Sequence, residues 1–142
     1  FLERGAEVVT IEHSEEWAAH VRAAAAARHG SSAPLRVVVA EGADALAAAR
    51  ALEDGSFDVA LVDSMNAHTW RRDAVEAALP KVAEGGALCL DNSDHPNNWA
   101  AVTWLGRDAR RRFTGYAPMC PVVTQTSFWE VRAPQARTSS AA

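Results

Sequence analysis

Four apolar, β-branched runs alternate with four helix-like segments along most of this chain, and each run ends on an acid or is followed at once by one. The first run, Glu7 to Glu12, closes on Glu12 itself. Ser14 then offers an N-cap for a helix over Ser14 to Arg28, with Glu15 and Glu16 suited to its first turn. His29 to Pro34 is a stop and a loop, and Leu35 to Ala40 is the second run. Glu41-Gly42 turns into a helix over Asp44 to Glu53. Phe57 to Val62 leads to Asp63, and a third helix spans Trp70 to Val82. After Glu84-Gly85-Gly86, the run Ala87 to Leu90 ends in Asp91-Asn92, and a fourth helix is expected over Asn98 to Arg111. The runs are continuously apolar rather than alternating, which marks strands of a parallel sheet covered by helices on both faces.

The tail changes period. Thr124 to Val131 alternates, and Phe113 to Tyr116 with Thr126 to Arg132 fits an antiparallel hairpin at the end of the sheet. Ala133 to Ala142 lacks the apolar residues to pack and is expected to be a disordered tail, leaving one domain over 1–132. With 49% hydrophobic residues in 142, there is material for one ordinary core. The balance of 14 basic against 18 acidic residues argues against a nucleic-acid partner. The one basic cluster, Arg107, Arg110, Arg111 and Arg112, reads as a solvated helix end. No run approaches the ~20 apolar residues of a membrane span, and no signal peptide is visible. Cys89 and Cys120 make no disulfide framework; Cys89 reads as a buried thiol. These features point to a cytoplasmic protein. Trp17, Trp70, Trp104 and Trp129 read as packing residues.

In an open parallel sheet, ligands bind beyond the carboxyl ends of the strands. There stand Glu12-His13, Glu41-Gly42-Ala43-Asp44, Asp63-Ser64 and Asp91-Asn92-Ser93-Asp94-His95. Asp44 and Asp94 read as helix or turn caps. Glu12, Asp63 and Asp91 directly end apolar strands and aim into a common crevice. An acid in the position of Glu12 suits hydrogen bonding to ribose hydroxyls, of a dinucleotide or of S-adenosylmethionine.

A terminal antiparallel hairpin separates these two. Together with Phe1 to Val9, Glu12 with Trp17, Phe57 to Asp63, Gly85 to Asp94 and Thr126 to Trp129, it makes the sequence resemble the class I S-adenosylmethionine-dependent methyltransferases nearly to Val131. The resemblance implies a Rossmann-like α/β fold, with a mostly parallel sheet and a C-terminal hairpin. It implies that Glu12 binds the cofactor ribose, that His13 lies near the adenine, and that Glu41, Gly42, Ala43 and Asp44 form the adenine-side loop. Asp63 would lie near the methionine end and the reacting methyl. The expected activity is methyl transfer to a small molecule at oxygen, with homodimerisation open. His95-Pro96 and Trp99 are expected at the substrate mouth.

A narrower resemblance is to the cation-dependent O-methyltransferases, in which two acids and an asparagine hold Mg²⁺. Asp63, Asp91 and Asn92 match that set in type and place. Where those enzymes carry a lysine base this chain has Asn66, and His68 stands as the substitute. The other reading of Asp91-Asn92 is a cap on the following turn. The family's first strand and glycine-rich loop have no counterpart here, since no Gly-x-Gly motif precedes Glu7. The chain, which begins at Phe1, therefore reads as a fragment with a seam between its first and third runs, prone to weak cofactor binding and aggregation. Three rival readings are a degenerate fold kept for binding or dimerisation, a nicotinamide-binding domain and a receiver domain. The second would need the same absent glycine loop. The third would need a lysine after its fifth strand, whereas Lys81 is the only lysine and lies in the third helix, before that strand.

Overall fold

The computed structural model describes residues 1–64, 70–116 and 121–132. His68, Cys120 and the tail from 133 lie outside the described residues. The chain forms two compact units, Phe1–Leu52 and Glu53–Ala142.

In the first unit a 3-10 turn at Leu2–Arg4 leads to strand β1, Val8–Glu12. Helix α1, Glu15–His29, is capped as its sequence requires: the Ser14 hydroxyl accepts the Trp17 N–H at 3.1 Å. It stops at Gly30, whose φ of 79° is open to glycine at little cost. Strand β2, Leu35–Val39, runs parallel to β1 with Val8 opposite Leu35 and Glu12 opposite Val39. Helix α2, Gly42–Arg50, follows. Only Ala18 and Ala25 are fully buried among the residues of this unit.

The second unit holds strand β3, Phe57–Val62; helix α3, Trp70–Ala78; strand β4, Val82–Leu90; helix α4, Trp99–Leu105; and strands β5, Arg110–Tyr116, and β6, Val123–Glu130. The sheet order is β3-β4-β6-β5. β3 and β4 are parallel; β4 with β6, and β6 with β5, are antiparallel. The core is Val62, Val75, Val82, Leu88, Leu90, Ala101, Val102 and Trp129. Among the described residues β1 pairs only with β2, and β3 only with β4.

The expected α/β architecture with its closing hairpin is what forms, with local differences. α2 ends at Arg50 and α3 at Ala78, short of the expected Glu53 and Val82. β4 begins at Val82 rather than Ala87, because the ladder to β3 continues through a register shift: Phe57 faces Val82, and Val59 faces Ala87. The fourth helix ends at Leu105 rather than Arg111, at Gly106 with φ of 92°. Arg110, Arg111 and Arg112 thus belong to β5, where pairing with β6 outweighs their helical propensity. Charged side chains on this terminal strand discourage further strand pairing. Of the tryptophans read as packing residues, Trp129 is buried, whereas Trp17 and Trp104 are exposed. No helix among the described residues is long and apolar enough to cross a membrane.

Candidate functional site

In the first unit the expected cofactor residues gather at one end of the sheet, because β1 and β2 are parallel and both finish there. Glu12 closes β1. Its Oε1 accepts the Ser14 backbone N–H at 2.9 Å, and His13 Nδ1 lies 2.9 Å from the same oxygen. The Glu12 side chain is 20% exposed, and its Oε2 takes no hydrogen bond from the described residues. Glu41 precedes α2 in extended backbone, and its carbonyl accepts the Asp44 N–H at 3.1 Å. Gly42 opens α2 with φ of 58°, and nothing lies within 4 Å of where its Cβ would stand. Backbone conformation, not crowding, calls for glycine there. Ala43 and Asp44 fill the first turn, where the Asp44 charge suits the helix dipole.

In the second unit β3 and β4 also end together, and the Asp91 N–H donates to the Val62 carbonyl at 3.1 Å. Asp63, Ser64, Asp91 and Asn92 leave these ends. Between them lies a side chain that sequence reasoning missed, Arg71, from the start of α3. It is 3% exposed. Its Nε donates to the Ser64 carbonyl at 2.6 Å, its Nη1 to the Asp91 carbonyl, and its Nη2 to Asp63 Oδ1 at 3.0 Å and Asn92 Oδ1 at 3.3 Å. Burial lowers the Arg71 pKa from its ordinary value, while Asp63 and Asp91 oppose that shift. The guanidinium keeps its charge.

Each loop is shaped to meet this group. Asn92 takes a left-handed backbone, φ 49°, which asparagine tolerates better than most residues. The Asn92 carbonyl accepts Asn98 Nδ2 at 2.8 Å and the His95 N–H at 2.9 Å. The Asp91 carboxylate acts on Arg71 through its charge rather than a hydrogen bond, and accepts the Thr126 hydroxyl of β6 through Oδ1. Ser93 bonds the Gln125 carbonyl at 2.9 Å and the Ser127 hydroxyl at 2.7 Å, fixing the same turn to β6. Asp63 remains 57% exposed at its side chain. Trp99 is exposed beside this turn and donates Nε1 to the Asp94 carbonyl at 3.1 Å.

The three expected metal ligands therefore surround an arginine instead. Asp63 and Asn92 offer one oxygen each to the guanidinium, and Asp91 offers its main-chain carbonyl rather than its carboxylate. A divalent ion needs its oxygens gathered ~2.0–2.6 Å from one centre. Here they are spread around three nitrogens, so the donor set as it stands does not fit Mg²⁺. Among the described residues no group of three or more His, Cys, Asp or Glu is placed to hold a metal ion. The signal in the sequence was an arginine four residues before Val75, on the stripe that α3 buries.

A sheet that ends parallel strands on acids and closes with an antiparallel hairpin is the frame of the class I S-adenosylmethionine-dependent methyltransferases. The model of a methyltransferase domain family matches residues 1–93, and the chain belongs to that family. Solved structures share the fold. The chain is similar to cofactor-bound Rv0187 from MTB, at 20% identity and a TM-score of 0.65, covering 91% of this chain and 63% of that one. It is similar to TomG, an O-methyltransferase from Streptomyces achromogenes involved in tomaymycin synthesis and solved with S-adenosylmethionine, at 17% identity and a TM-score of 0.67, covering 90% and 63%. It is also similar to an O-methyltransferase from Bacillus cereus in complex with S-adenosylhomocysteine, at 16% identity and a TM-score of 0.65, covering 87% and 62%. The chain thus spans just under two thirds of these proteins. No curated protein matches it.

Proposed function

We propose that the protein is an S-adenosylmethionine-dependent methyltransferase that methylates a small molecule at oxygen. The observation that carries this reading is Glu12. It ends β1 with one carboxylate oxygen fixed by the Ser14 N–H and the other without a partner among the described residues. Ribose hydroxyls are donors of the kind such an oxygen accepts. His13, Glu41, Gly42, Ala43 and Asp44 stand at the same end of that sheet and would take the adenine side. Asp63 would stand near the methionine end. The O-methyltransferases among the similar folds support oxygen as the acceptor atom.

The cofactor supplies an activated methyl group on a sulfonium, so the chain's work is alignment. Glu12 would orient the ribose through a charge-assisted hydrogen bond. A hydroxyl acceptor must also lose its proton, and His68 is the residue proposed to take it. The mouth would be shaped by His95, Pro96 and Trp99.

Calorimetric titration with S-adenosylmethionine tests the reading. Glu12→Ala is expected to weaken binding by about 1–3 kcal/mol, the scale of a lost charge-assisted hydrogen bond. Unchanged affinity would remove Glu12 from the site. Tight binding with no methyl transfer to any hydroxylated acceptor would leave a cofactor-binding module in place of the enzyme.

A further inference from the structure

We propose that Arg71 is the resident cation of this site. Its guanidinium stands in for a divalent metal ion, and it positions Asp63 and the turn at Asp91-Asn92 without one. The role of Arg71 in methyl transfer rests on the methyltransferase reading above; which cation the oxygens hold does not.

Four oxygens from the ends of two neighbouring strands face one buried positive group: the carbonyls of Ser64 and Asp91, Asp63 Oδ1 and Asn92 Oδ1. A metal would draw them toward a point; a guanidinium spreads them around a planar fork. The spread is what is found. Asp91 accepts from Arg71 Nη1 through its main-chain carbonyl, and its carboxylate Oδ1 accepts the Thr126 hydroxyl of β6. Asn92 gains a reason for its left-handed backbone, which brings Oδ1 to Nη2. Arg71 is buried, so it touches no acceptor; it is a positioning residue. What it positions is Asp63, held by Oδ1 while its side chain stays largely open to solvent.

A metal-centred site favours acceptors with two adjacent oxygens that chelate the ion. A site held together by Arg71 gains nothing from a second oxygen, so a single hydroxyl serves.

The experiment is Mn²⁺ binding, read by electron paramagnetic resonance on the full chain, which needs no enzymatic activity. The wild type is expected to bind no Mn²⁺ at millimolar concentration and to show no rise in Tm on adding Mg²⁺. Arg71→Met, which removes the charge and keeps much of the side-chain volume, is expected to acquire a bound Mn²⁺ that is lost again in the Arg71→Met, Asp63→Asn double variant. Arg71→Lys, which keeps a charge, is expected to acquire none. Saturable Mn²⁺ binding by the wild type that Asp63→Asn abolishes would overturn the proposal. So would a folded Arg71→Met that binds no Mn²⁺. If Arg71→Met does not fold, the wild-type titration and its Tm decide alone. If the protein transfers no methyl group, the Mn²⁺ result still stands, so failure of the enzymatic reading and failure of this one are told apart.

Discussion

A guanidinium with four oxygen partners and almost no contact with water is held by its surroundings from several sides, and its removal leaves those partners stranded. Arg71→Ala is therefore expected to cost about 3 kcal/mol of stability, the scale for breaking a buried ionic network. Asp63→Asn should cost roughly 1 kcal/mol or less, since Asp63 is largely solvated and the two carbonyls remain bonded. Urea denaturation of the two variants checks the ratio. Cys89 gives a second test at this scale. Burial in β4 pushes its thiol up to about 11, from an ordinary 9.0. Below pH 9 the thiol is protonated in both folded and unfolded chains. Above it the unfolded chain loses the proton first, so stability falls as pH rises toward 11. The wild type should lose about 2 kcal/mol over that range relative to Cys89→Ala. A parallel alkaline profile for the two would show that the thiol ionises freely. At this scale the sequence was half legible. An acid that ends an apolar strand announces itself, as Glu12 and Asp63 do. Arg71 does not, because its burial depends on two distant turns meeting over it.

Elements were easier to read than their ends. The strands from Val8 to Leu90 are mostly apolar, which suits the parallel pairing found, although Val39, Val59 and Leu61 are exposed and the expected cover on both faces is incomplete. The start of α1 was legible from Ser14, and its end from Gly30. The end of α4 was not, since Arg107 to Arg112 suits a helix as well as a strand by propensity alone. The partner that decides it, β6, lies more than ten residues further on. The start of β4 was hidden by its glycines, which read as a turn but lie within a strand whose register shifts against β3. That irregularity predicts a sharp contrast between two glycines. A Cβ at Gly86 would lie 2.6 Å from the Asp58 carbonyl oxygen and 2.9 Å from that of Ala83. Both obstacles are backbone, so Gly86→Ala is expected to lose about 1–3 kcal/mol. Gly115 in β5 has nothing within 4 Å, and Gly115→Ala should change stability by no more than ~0.5 kcal/mol. Denaturation midpoints of the pair measure the difference.

At the scale of the whole molecule, the two units differ in what they bury. Glu53–Ala142 encloses a cluster from Val62 to Trp129, including two fully buried leucines. Phe1–Leu52 buries two alanines and rests on a sheet of two strands. A sheet that small is marginal by itself. Amide hydrogen exchange should give opening free energies in β1 and β2 at least ~2 kcal/mol below those in β4. Equal protection in the two would mean that the first unit draws stability from elsewhere. The thin core of residues 1–52 also bears on how affinity is read. If Glu12 holds the ribose, a ligand at 100 times its dissociation constant adds about 2.7 kcal/mol to the unit that carries Glu12. The measured dissociation constant is then the intrinsic one divided by the fraction of that unit folded before the ligand arrives. Ala25→Gly, buried in the middle of α1 and well removed in sequence from Glu12, His13 and Glu41, would lower apparent affinity by unfolding the receptor rather than by altering it.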